Sequence, residues 1–420
     1  MKLKKNLKMS DKLLTNVKKP NTFYCSNCVY PSSFARVMSF DEKGICSGCE
    51  TSKEKFKIEW KERKKQLIEI LEENKKNKNS NDIYDCIIPV SGGKDSFFQA
   101  HTIKSLGYNA LLVTYNGNNY SKTGLRNVQK MRESFGFDHI FFTPAVSTLK
   151  KLNRLGMLIM GDMDWHNHIG IATYPIKVAV EKNIPIMIWG EHGDTDLGGM
   201  YSMSDMNEFT LRERTEHVGR GYDWHHMIDL SVIHGEKLEK REMNGFIYPT
   251  NNEIDQVGIR GLYLGNYVYW EANDHLKLMI EEYGFELQEE GFERTYRKGS
   301  SLDNIYENGI HDYMKFIKFG YGRATDHGCK DIRAKKLTRN EAVSEINKRD
   351  HIKSKDLKIW LNYVGWTEEK FDEVADTFRD PRVWWIKNGE WWKNNLNGKP
   401  SSYGLVKLKK KYWTNYHIEY

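Results

Sequence analysis

One six-residue segment, Ser91-Gly92-Gly93-Lys94-Asp95-Ser96, constrains the fold of this chain more than any other feature. It follows the apolar run 83–90, which is typical of a strand buried on both faces, and it precedes a predicted helix. Two adjacent glycines let the backbone approach phosphate oxygens and turn successive N–H groups toward them. The helix N-terminus and Lys94 add positive charge. A capped Gly-Gly turn explains the glycines but not the lysine and the two serines, so the segment predicts a phosphate-binding loop.

The segment resembles the signature of the PP-loop ATPases, also called the ATP-pyrophosphatase superfamily. This resemblance implies a Rossmann-like core, cleavage of ATP between its α and β phosphates, and adenylation of a substrate oxygen. The Walker pattern is absent, which disfavours transfer of the γ-phosphate. We expect Lys94 to stabilise charge that develops on the phosphates during catalysis. The residues predicted to bind ATP in the loop are Ser91, Gly92, Gly93, Lys94, Asp95 and Ser96.

An α/β pattern surrounds the loop. Apolar runs at 110–115, 139–143 and 184–189 predict further strands, and stretches at 97–106 and 124–135 predict helices. Strands that alternate with helices imply a parallel, doubly wound sheet. Ligands of such a sheet bind beyond the carboxyl ends of its strands, which is where the phosphate loop falls.

The C-terminal part of the chain has a helical pattern. Stretches 266–283 and 303–319 are amphipathic, Thr338 and Glu341 form a capping box that opens another helix, and Thr367 begins a further one. The predicted organisation is a disordered basic leader (1–22), a zinc-binding segment (23–50), a helix and linker (51–80), the PP-loop ATP-binding domain (81–265) and a mainly helical C-terminal region (266–420).

Two further places fall at the predicted ligand-binding edge of the sheet. Asn116 follows the second strand, where such folds hold the adenosine, although a solvated turn explains it equally well. Glu191 and Asp194 follow a later strand, and their carboxylates are suited to hold Mg²⁺ on the triphosphate. Acids in a glycine-rich turn are also common for purely local reasons.

Two pairs of cysteines predict a metal site. Cys25 and Cys28 are separated by two residues, as are Cys46 and Cys49, and seventeen residues lie between the pairs. This spacing places four thiolates around one tetrahedral Zn²⁺. Disulfides are the alternative, which a cytosolic location disfavours. With no open coordination position, the predicted zinc is structural, and it would supply folding energy to a segment with little apolar core.

A competing interpretation treats Cys46 as a nucleophile. Gly44-Ile45-Cys46-Ser47-Gly48 fits the Gly-x-Cys-x-Gly elbow of triad glutaminases. Only 45 residues precede Cys46, too few to build the sheet that such an elbow requires, and the elbow leaves Cys49 unexplained. The residue directly after Met1 is not a cysteine, whereas an N-terminal-nucleophile glutaminase needs a cysteine there. We therefore expect no glutaminase activity in this chain.

The combination of motifs resembles the N-acetyl sugar amidotransferases, which are similar to the pseudaminic acid acetamidino synthase and to amidotransferases of lipopolysaccharide O-antigen synthesis. The likeness rests on the paired cysteines, the phosphate loop and the stretch 309–327, and it runs from about 23 to about 380. It implies conversion of the acetamido group of a nucleotide-activated sugar, in surface-glycan or flagellin-glycan synthesis, into an acetamidino group. It also implies separate glutaminase and cyclase-like subunits that supply ammonia, similar to imidazole glycerol phosphate synthase.

Further candidate residues follow from this resemblance. Arg323, Asp326 and His327 lie in the family stretch and are expected to bind the anionic sugar, although Arg323 is also suited to a helix-capping ion pair. His166 and His168 are candidates for proton transfer from ammonia, and a structural role for one of them is an equally good interpretation.

Charge and composition limit the alternatives. The first twenty residues hold seven lysines and one acid, so the leader carries most of the net charge of +7. The remaining body shows no basic face of the kind that nucleic-acid-binding enzymes carry. No apolar run is long enough to span a membrane, and no secretory signal is visible, which predicts a cytoplasmic enzyme. The alternatives are a PP-loop enzyme that modifies tRNA by thiolation and a catalytically silent scaffold, which the intact phosphate loop disfavours.

Overall fold

The computed structural model describes residues 17–77, 83–117 and 119–419. The predicted disordered leader (1–22) falls mainly outside this range, as does the end of the predicted linker at 78–80. Its last residues, however, pack against the C-terminal end of the chain. Lys19 forms an ion pair with Glu419, and its ammonium lies 4.5 Å from the ring centre of Trp385. Residues 17–22 are therefore part of the folded body rather than of a solvated leader.

Helices and strands alternate from residue 86 to residue 283. The elements in chain order are α1 (Ser47–Glu54), α2 (Trp60–Lys76), β1 (Cys86–Pro89), α3 (Lys94–Ser105), β2 (Ala110–Tyr115), α4 (Lys122–Phe135), β3 (Asp138–Phe142), α5 (Val146–Met160), α6 (Trp165–Lys182), β4 (Ile186–Trp189), α7 (Trp224–Ile233), α8 (Asn251–Val257), β5 (Arg260–Tyr263), α9 (Ala272–Tyr283), α10 (Ile305–Phe319), α11 (Arg323–Arg333), α12 (Arg339–Asn347), α13 (Leu357–Val364), α14 (Glu368–Asp376), β6 (Trp385–Lys387), β7 (Glu390–Asn394), β8 (Pro400–Leu405) and β9 (Ile418–Glu419).

The first five strands form one parallel sheet in the order β3-β2-β1-β4-β5, which confirms the predicted doubly wound α/β core. Successive residues of a strand point to opposite faces. Ile87 accordingly packs against α6 on one face, and Ile88 packs with Phe97 of α3 and Met279 of α9 on the other. Both faces are covered, which explains why β1 reads as a continuous apolar run.

The predicted boundary at 265 divides residues that share one core. Trp270, Met279 and Leu302 belong to the same apolar cluster as the strands β1 and β2 and the helix α3. Helix α9 therefore covers the sheet rather than opening a separate helical region. Strand β5, at Arg260–Tyr263, was not predicted from the sequence.

The segment before the sheet contains two helices where the sequence predicts one. A 3-10 turn at Lys55–Lys57 and the extended residue Ile58 separate α1 from α2. Helix α2 then packs Leu67 and Leu71 into the main core. Helix α1 instead carries Cys49 and belongs to the cysteine segment.

The C-terminal region is helical only as far as Asp376. The capping box at Thr338 and the cap at Thr367 begin α12 and α14 as predicted. Beyond α14, the strands β6 to β9 form a four-stranded sheet in the order β8-β7-β6-β9. Trp384 and Trp391 are fully buried in its small core. Within the described ranges, no helix has the length and apolar character that crossing a bilayer requires.

Candidate functional site

The phosphate loop joins the end of β1 to the start of α3. Gly92 has a positive φ of 77°, and a Cβ atom there would meet Val128 at 2.4 Å, so only glycine fits. The Ser91 N–H donates to the Ser96 hydroxyl oxygen at 2.9 Å, and the Gly93 N–H donates to the Ser91 hydroxyl oxygen at 3.3 Å. In this structure the two serines thus hold the shape of the loop.

A cavity of about 310 Å³ lies in front of the loop. This volume is within the range of small-molecule sites. The phosphate loop forms one wall, and residues from the end of β4, from α9, from the 297–303 segment and from α11 form the rest. The polar and charged side chains that line it are Ser91, Lys94, Asp95, Glu191, Asn273, Arg297, Ser300, Ser301, Asp303, Arg323, His327 and Lys330.

The charges of this cavity are paired around α11. Lys330 forms ion pairs with Glu191 and with Asp196, the latter at 3.0 Å. Burial alone would lower the pKa of Lys330, but the two carboxylates raise it above its usual value. Arg323 donates to Asp312 at 3.0 Å. Both cations are therefore held in fixed positions and stay charged.

Three carboxylates line the same cavity. Lys94 is paired with Asp95 and holds the pKa of that carboxyl below its usual value. Burial raises the pKa of Glu191 and of Asp303. Oxygen ligands of this kind, together with phosphate oxygens, are what Mg²⁺ prefers. Asp194, predicted for the same role, instead lies in a buried cluster with Arg36 and is not among the residues that line the cavity.

Asn116 lies at the end of β2, as predicted, and is buried. Its side-chain amide donates to the Thr143 hydroxyl at 2.8 Å. The next residue, Gly117, approaches Asn167 so closely that a Cβ atom would meet the Asn167 Oδ1 at 2.3 Å. Asn116 is outside the set that lines the phosphate-loop cavity, so its contact with adenosine stays a prediction.

His166 is fully buried in a hydrogen-bonded network. Its Nδ1 lies 3.1 Å from the Tyr115 hydroxyl, and its Nε2 lies 3.1 Å from the Asn153 amide nitrogen and 3.3 Å from Glu307. Burial lowers the pKa of His166, but Glu307 and the neighbouring Asp164 raise it overall. Both ring nitrogens are engaged, and His166 does not line the phosphate-loop cavity. Proton transfer by His166 therefore stays a prediction without geometric support.

His168 has a different environment two residues further on. Its ring centre lies 5.6 Å from that of His311, which binds the Asp162 carboxylate through Nδ1 at 2.9 Å. The His168 Nε2 is buried and has no hydrogen-bond partner among the described residues. Burial and the nearby Arg220 hold the pKa of His168 well below its usual value, so the imidazole is neutral. It too lies outside the residues that line the cavity.

The three residues predicted to bind the sugar separate into two sets. Arg323 and His327 line the cavity, one turn apart on α11. Asp326 is 2% exposed and accepts hydrogen bonds from Lys315 and from the Tyr30 hydroxyl, the latter at 2.9 Å. Asp326 thus ties α11 to α10 and to the cysteine segment instead of facing the cavity.

The four paired cysteines converge as predicted. All four are buried, and no disulfide joins them. The Sγ atoms of Cys25 and Cys49 are 3.9 Å apart, and those of Cys28 and Cys46 are 3.6 Å apart. A tetrahedral zinc with Zn–S bonds of about 2.3 Å has S–S edges of about 3.8 Å, so the donor set fits a structural zinc. The metal itself stays an inference from this geometry.

Arg333 connects the cysteine cluster to the cavity. Its NH2 group lies 3.3 Å from the Cys46 Sγ, where it would balance thiolate charge. Its NH1 group donates to the carbonyl oxygens of Asp196 and Leu197, each at 2.9 Å. Asp196 pairs with Lys330, which lines the cavity. The C-terminal end of α11 therefore contacts both sites.

A scan against protein-family models matches residues 291–397 to "LPS biosynthesis protein WbpG-like, C-terminal domain". This segment is similar to the WbpG-like domain. The match confirms the lipopolysaccharide-related resemblance drawn from the sequence, over about a quarter of the chain. The WbpG-like segment contributes Arg297, Asp303, Arg323, His327 and Lys330 to the cavity, so the phosphate loop faces a wall built by this segment.

Other similarities are partial or weak. The uncharacterized protein MJ1599 of Methanocaldococcus jannaschii is 30% identical over 115 residues, which are 27% of this chain and 40% of that protein. The NH3-dependent NAD synthetase of Campylobacter jejuni aligns with a TM-score of 0.28 and 13% identity, over 48% of this chain and 92% of its own. The NMN synthetase of Francisella tularensis aligns with a TM-score of 0.27 and 12% identity, over 54% and 94%.

Several cavity residues were not predicted from the sequence. Arg297 and Asp303 lie in an irregular segment with no recognisable motif, and Trp270 follows the unpredicted strand β5. The run Gly258-Ile259-Arg260-Gly261-Leu262-Tyr263-Leu264-Gly265, an apolar stretch bounded by glycines, was the signal for that strand. Lys330 lies one turn after His327 on the same helix, so helical spacing could have identified it.

Proposed function

We propose that this protein is an AMP- and pyrophosphate-forming amidotransferase that converts the acetamido group of a nucleotide-activated sugar, or of a nonulosonic acid, into an acetamidino group. The observation that supports this most is the composition of one cavity. One wall is the PP-loop, with Lys94, and another is the WbpG-like segment, with Arg297, Arg323 and His327. ATP and a substrate of surface-glycan synthesis would therefore meet in the same place.

The proposed reaction has two steps, and atoms and charge are conserved in each. The amide oxygen of the acetamido group attacks the α-phosphate of ATP, the bond between the α and β phosphates breaks, and pyrophosphate leaves. Ammonia then adds to the carbon of the resulting imidoyl adenylate, AMP leaves with the former amide oxygen, and the amidine retains the proton as amidinium. Adenylation is what converts a poor leaving group into a good one.

The chain's own residues have distinct parts in this scheme. Lys94 at the start of α3 and the N-terminal N–H groups of that helix would stabilise the charge on the departing pyrophosphate. Arg323 and His327 would position the sugar against the loop. Mg²⁺, when bound, would neutralise part of the triphosphate charge, and Asp95, Glu191 and Asp303 are the carboxylates available to hold it.

The alternative, thiolation of tRNA, has less support. A PP-loop thiolase of the expected kind needs a cysteine near the nucleotide, and no cysteine is among the residues that line the described cavity. Cys86 is buried in β1, and Cys329 is buried beside the cysteine cluster. The cavity instead offers hydrogen-bond donors and cations, as a phosphorylated or acidic sugar requires.

The test of the proposed activity is a mass-spectrometric assay. Purified protein is incubated with ATP, Mg²⁺, ammonium and each of a panel of nucleotide-linked acetamido sugars and acetamido nonulosonic acids. We expect AMP and pyrophosphate, together with a sugar in which one oxygen is replaced by NH. Formation of ADP and inorganic phosphate would refute the proposal. So would unchanged sugars in this assay together with thiolated tRNA in a parallel incubation that contains tRNA and a sulfur donor.

The source of nitrogen is part of the same proposal. Separate glutaminase and cyclase-like subunits would deliver ammonia, because free ammonia is mostly ammonium ion near neutral pH and is then not nucleophilic. We expect the isolated chain to use ammonium and to leave glutamine intact until such a partner is added. Glutamine hydrolysis by the isolated chain, abolished by Cys46→Ser while zinc stays bound, would instead establish Cys46 as a glutaminase nucleophile.

A further inference from the structure

Four basic side chains from three separate segments meet beside helix α10. His168 lies in the first turn of α6, and His311 and Lys318 are two turns apart on α10. Arg220 follows a short π-helical segment, Glu213–Val218. We refer to these four residues as the basic cluster. The rings of His168 and His311 are 5.6 Å apart, and Asp162 binds both Arg220 and His311. Neither the phosphate loop nor its cavity includes any of the four.

The negative charge in the basic cluster is smaller than the positive charge. Asp162 is 1% exposed, and Arg220 and His311 hold its pKa well below the usual value despite burial, so it is ionised. The adjacent Asp164 accepts from the Asn304 amide, and burial with the nearby Glu307 raises its pKa to about 7. One full carboxylate charge therefore faces the Arg220 guanidinium and the Lys318 ammonium.

Lys318 lacks a partner of opposite charge. No carboxylate of the described chain lies within ion-pair distance of its Nζ, which donates only to the Met160 carbonyl at 3.4 Å. Burial lowers the pKa of Lys318 to about 8, although the Asp162 carboxylate acts in the opposite direction from beyond ion-pair distance. The buried His168 Nε2 also has no partner. Buried polar groups are nearly always hydrogen-bonded, so the unpartnered His168 Nε2, in a cluster whose Lys318 has no carboxylate partner, indicates that a ligand completes the site.

The charge of the basic cluster indicates which ligand this is. Asp162, His168 and His311 have the composition of a metal site. However, Arg220 already occupies one Asp162 oxygen, and the Lys318 ammonium is close by. Like charges at short range repel one another strongly in a partly buried site, and a divalent ion is repelled more than a monovalent one. A cation is therefore disfavoured, and an anion is favoured.

We propose that the basic cluster binds an acidic group of the sugar substrate, either a phosphate or a carboxylate. The inference rests on the proposed function for the identity of that substrate. Helix α10 links the basic cluster to the nucleotide cavity, because Asp312, which follows His311, pairs at 3.0 Å with Arg323 of the cavity wall. The Arg220 side chain is 35% exposed, so the basic cluster is open to a ligand from solvent.

The test measures binding and needs no turnover. The zinc-loaded full chain is saturated with an ATP analogue that has a methylene bridge between its α and β phosphates, so that the phosphate loop is filled. UDP and N-acetylneuraminic acid are then titrated separately by calorimetry. Binding of UDP identifies a diphosphate as the recognised group, and binding of N-acetylneuraminic acid identifies a carboxylate.

Three variants make the test specific. We expect Lys318→Met and Arg220→Met each to weaken binding of the acidic probe at least about tenfold, with less than a twofold change in affinity for the ATP analogue. Lys358→Met, at an exposed position on α13, is the matched control and should leave both affinities unchanged. Arg220→Met leaves the buried Asp162 carboxylate without its arginine partner and could therefore fail to fold. Lys318 is not within ion-pair distance of a described carboxylate, so Lys318→Met remains informative in that case.

Three outcomes would overturn the proposal. They are wild-type protein that binds neither probe, Lys318→Met protein that binds the probe as tightly as wild type, and a second metal ion per chain that is lost in His311→Asn. The proposed function fails separately, through the absence of AMP and pyrophosphate in the turnover assay. If the protein binds the acidic probe but forms no AMP, the proposed function is refuted while the anion site is retained.

Discussion

The cysteine cluster and the phosphate-loop cavity both contact helix α11, yet they are built in opposite ways. All four sulfur atoms of the cysteine cluster come from residues 25 to 49 and face one another in a buried centre. The cavity draws its walls from residues 91 to 330 and stays open. A closed site assembled from one short segment stabilises that segment, whereas an open site assembled across the fold is where a ligand binds. Substitutions in the cysteine cluster should therefore lower stability, whereas substitutions in the cavity should lower activity.

The largest difference is expected from Lys94→Ala. Lys94 supplies a full charge at the phosphate wall of the cavity. Removing one preorganised charge-stabilising group typically lowers turnover by about a hundredfold to a thousandfold. We expect that loss in the rate of pyrophosphate release. The melting temperature should stay within about two degrees of wild type, because among the described residues Lys94 forms an ion pair only with its half-exposed neighbour Asp95. Lys122→Ala, an exposed lysine at the start of α4, is the control. Full activity in Lys94→Ala would contradict the assignment of this wall.

Cys46→Ser should act through stability. A structural zinc site contributes binding free energy to folding, so its loss should cost several kcal/mol in the cysteine segment. We expect zinc content to fall from one per chain to nearly zero, and limited proteolysis to cut between residues 23 and 50. Cys86→Ala, a buried cysteine in β1, should keep the zinc. An unchanged zinc content in Cys46→Ser would show that the cluster does not bind the metal through this thiolate.

A smaller effect is expected from the network around His166. Burial, with Glu307 nearby, raises the pKa of Asp164 from 3.8 to about 7. The folded state therefore holds this proton more tightly than the unfolded state, so ionisation of Asp164 destabilises the fold progressively as pH rises from about 4 to 7.

Asp164→Asn mimics the protonated carboxyl and removes this dependence. Between pH 5 and pH 7, wild type should lose about 2 kcal/mol of unfolding free energy relative to Asp164→Asn, measured by urea denaturation. The exposed Asp255→Asn on α8 is the control and should track wild type. A wild type that gains stability relative to Asp164→Asn over this range would show that the sign is wrong.

Sequence reasoning identified the parts of both sites that are determined locally. The loop needs Gly92 at positive φ and a helix that begins at Lys94, and both requirements are visible in six residues. The spacing of the cysteines likewise identifies all four sulfur atoms of the predicted zinc site. The parallel sheet followed from the alternation of apolar runs and amphipathic stretches, although β5 was missed.

What sequence reasoning could not supply depends on contacts between distant segments. His166 and His168 are two residues apart and looked equivalent, yet Asn153 and Glu307 engage the first while the second faces His311. Asp326 lies next to His327 in the chain, but helical geometry turns it toward Lys315 and Tyr30. No local pattern specifies these partners, which only the packing of α6, α10 and α11 brings together.

The central claim is that the substrate's amide oxygen attacks the α-phosphate of ATP in the phosphate-loop cavity. An acetamido sugar labelled with ¹⁸O in the amide carbonyl, incubated with the protein, ATP and ammonium, tests this claim directly. We predict that the ¹⁸O appears in AMP, since the former amide oxygen leaves with the adenylate, and that pyrophosphate carries none. Recovery of the label in inorganic phosphate, or its retention in the sugar while AMP forms, would contradict the account.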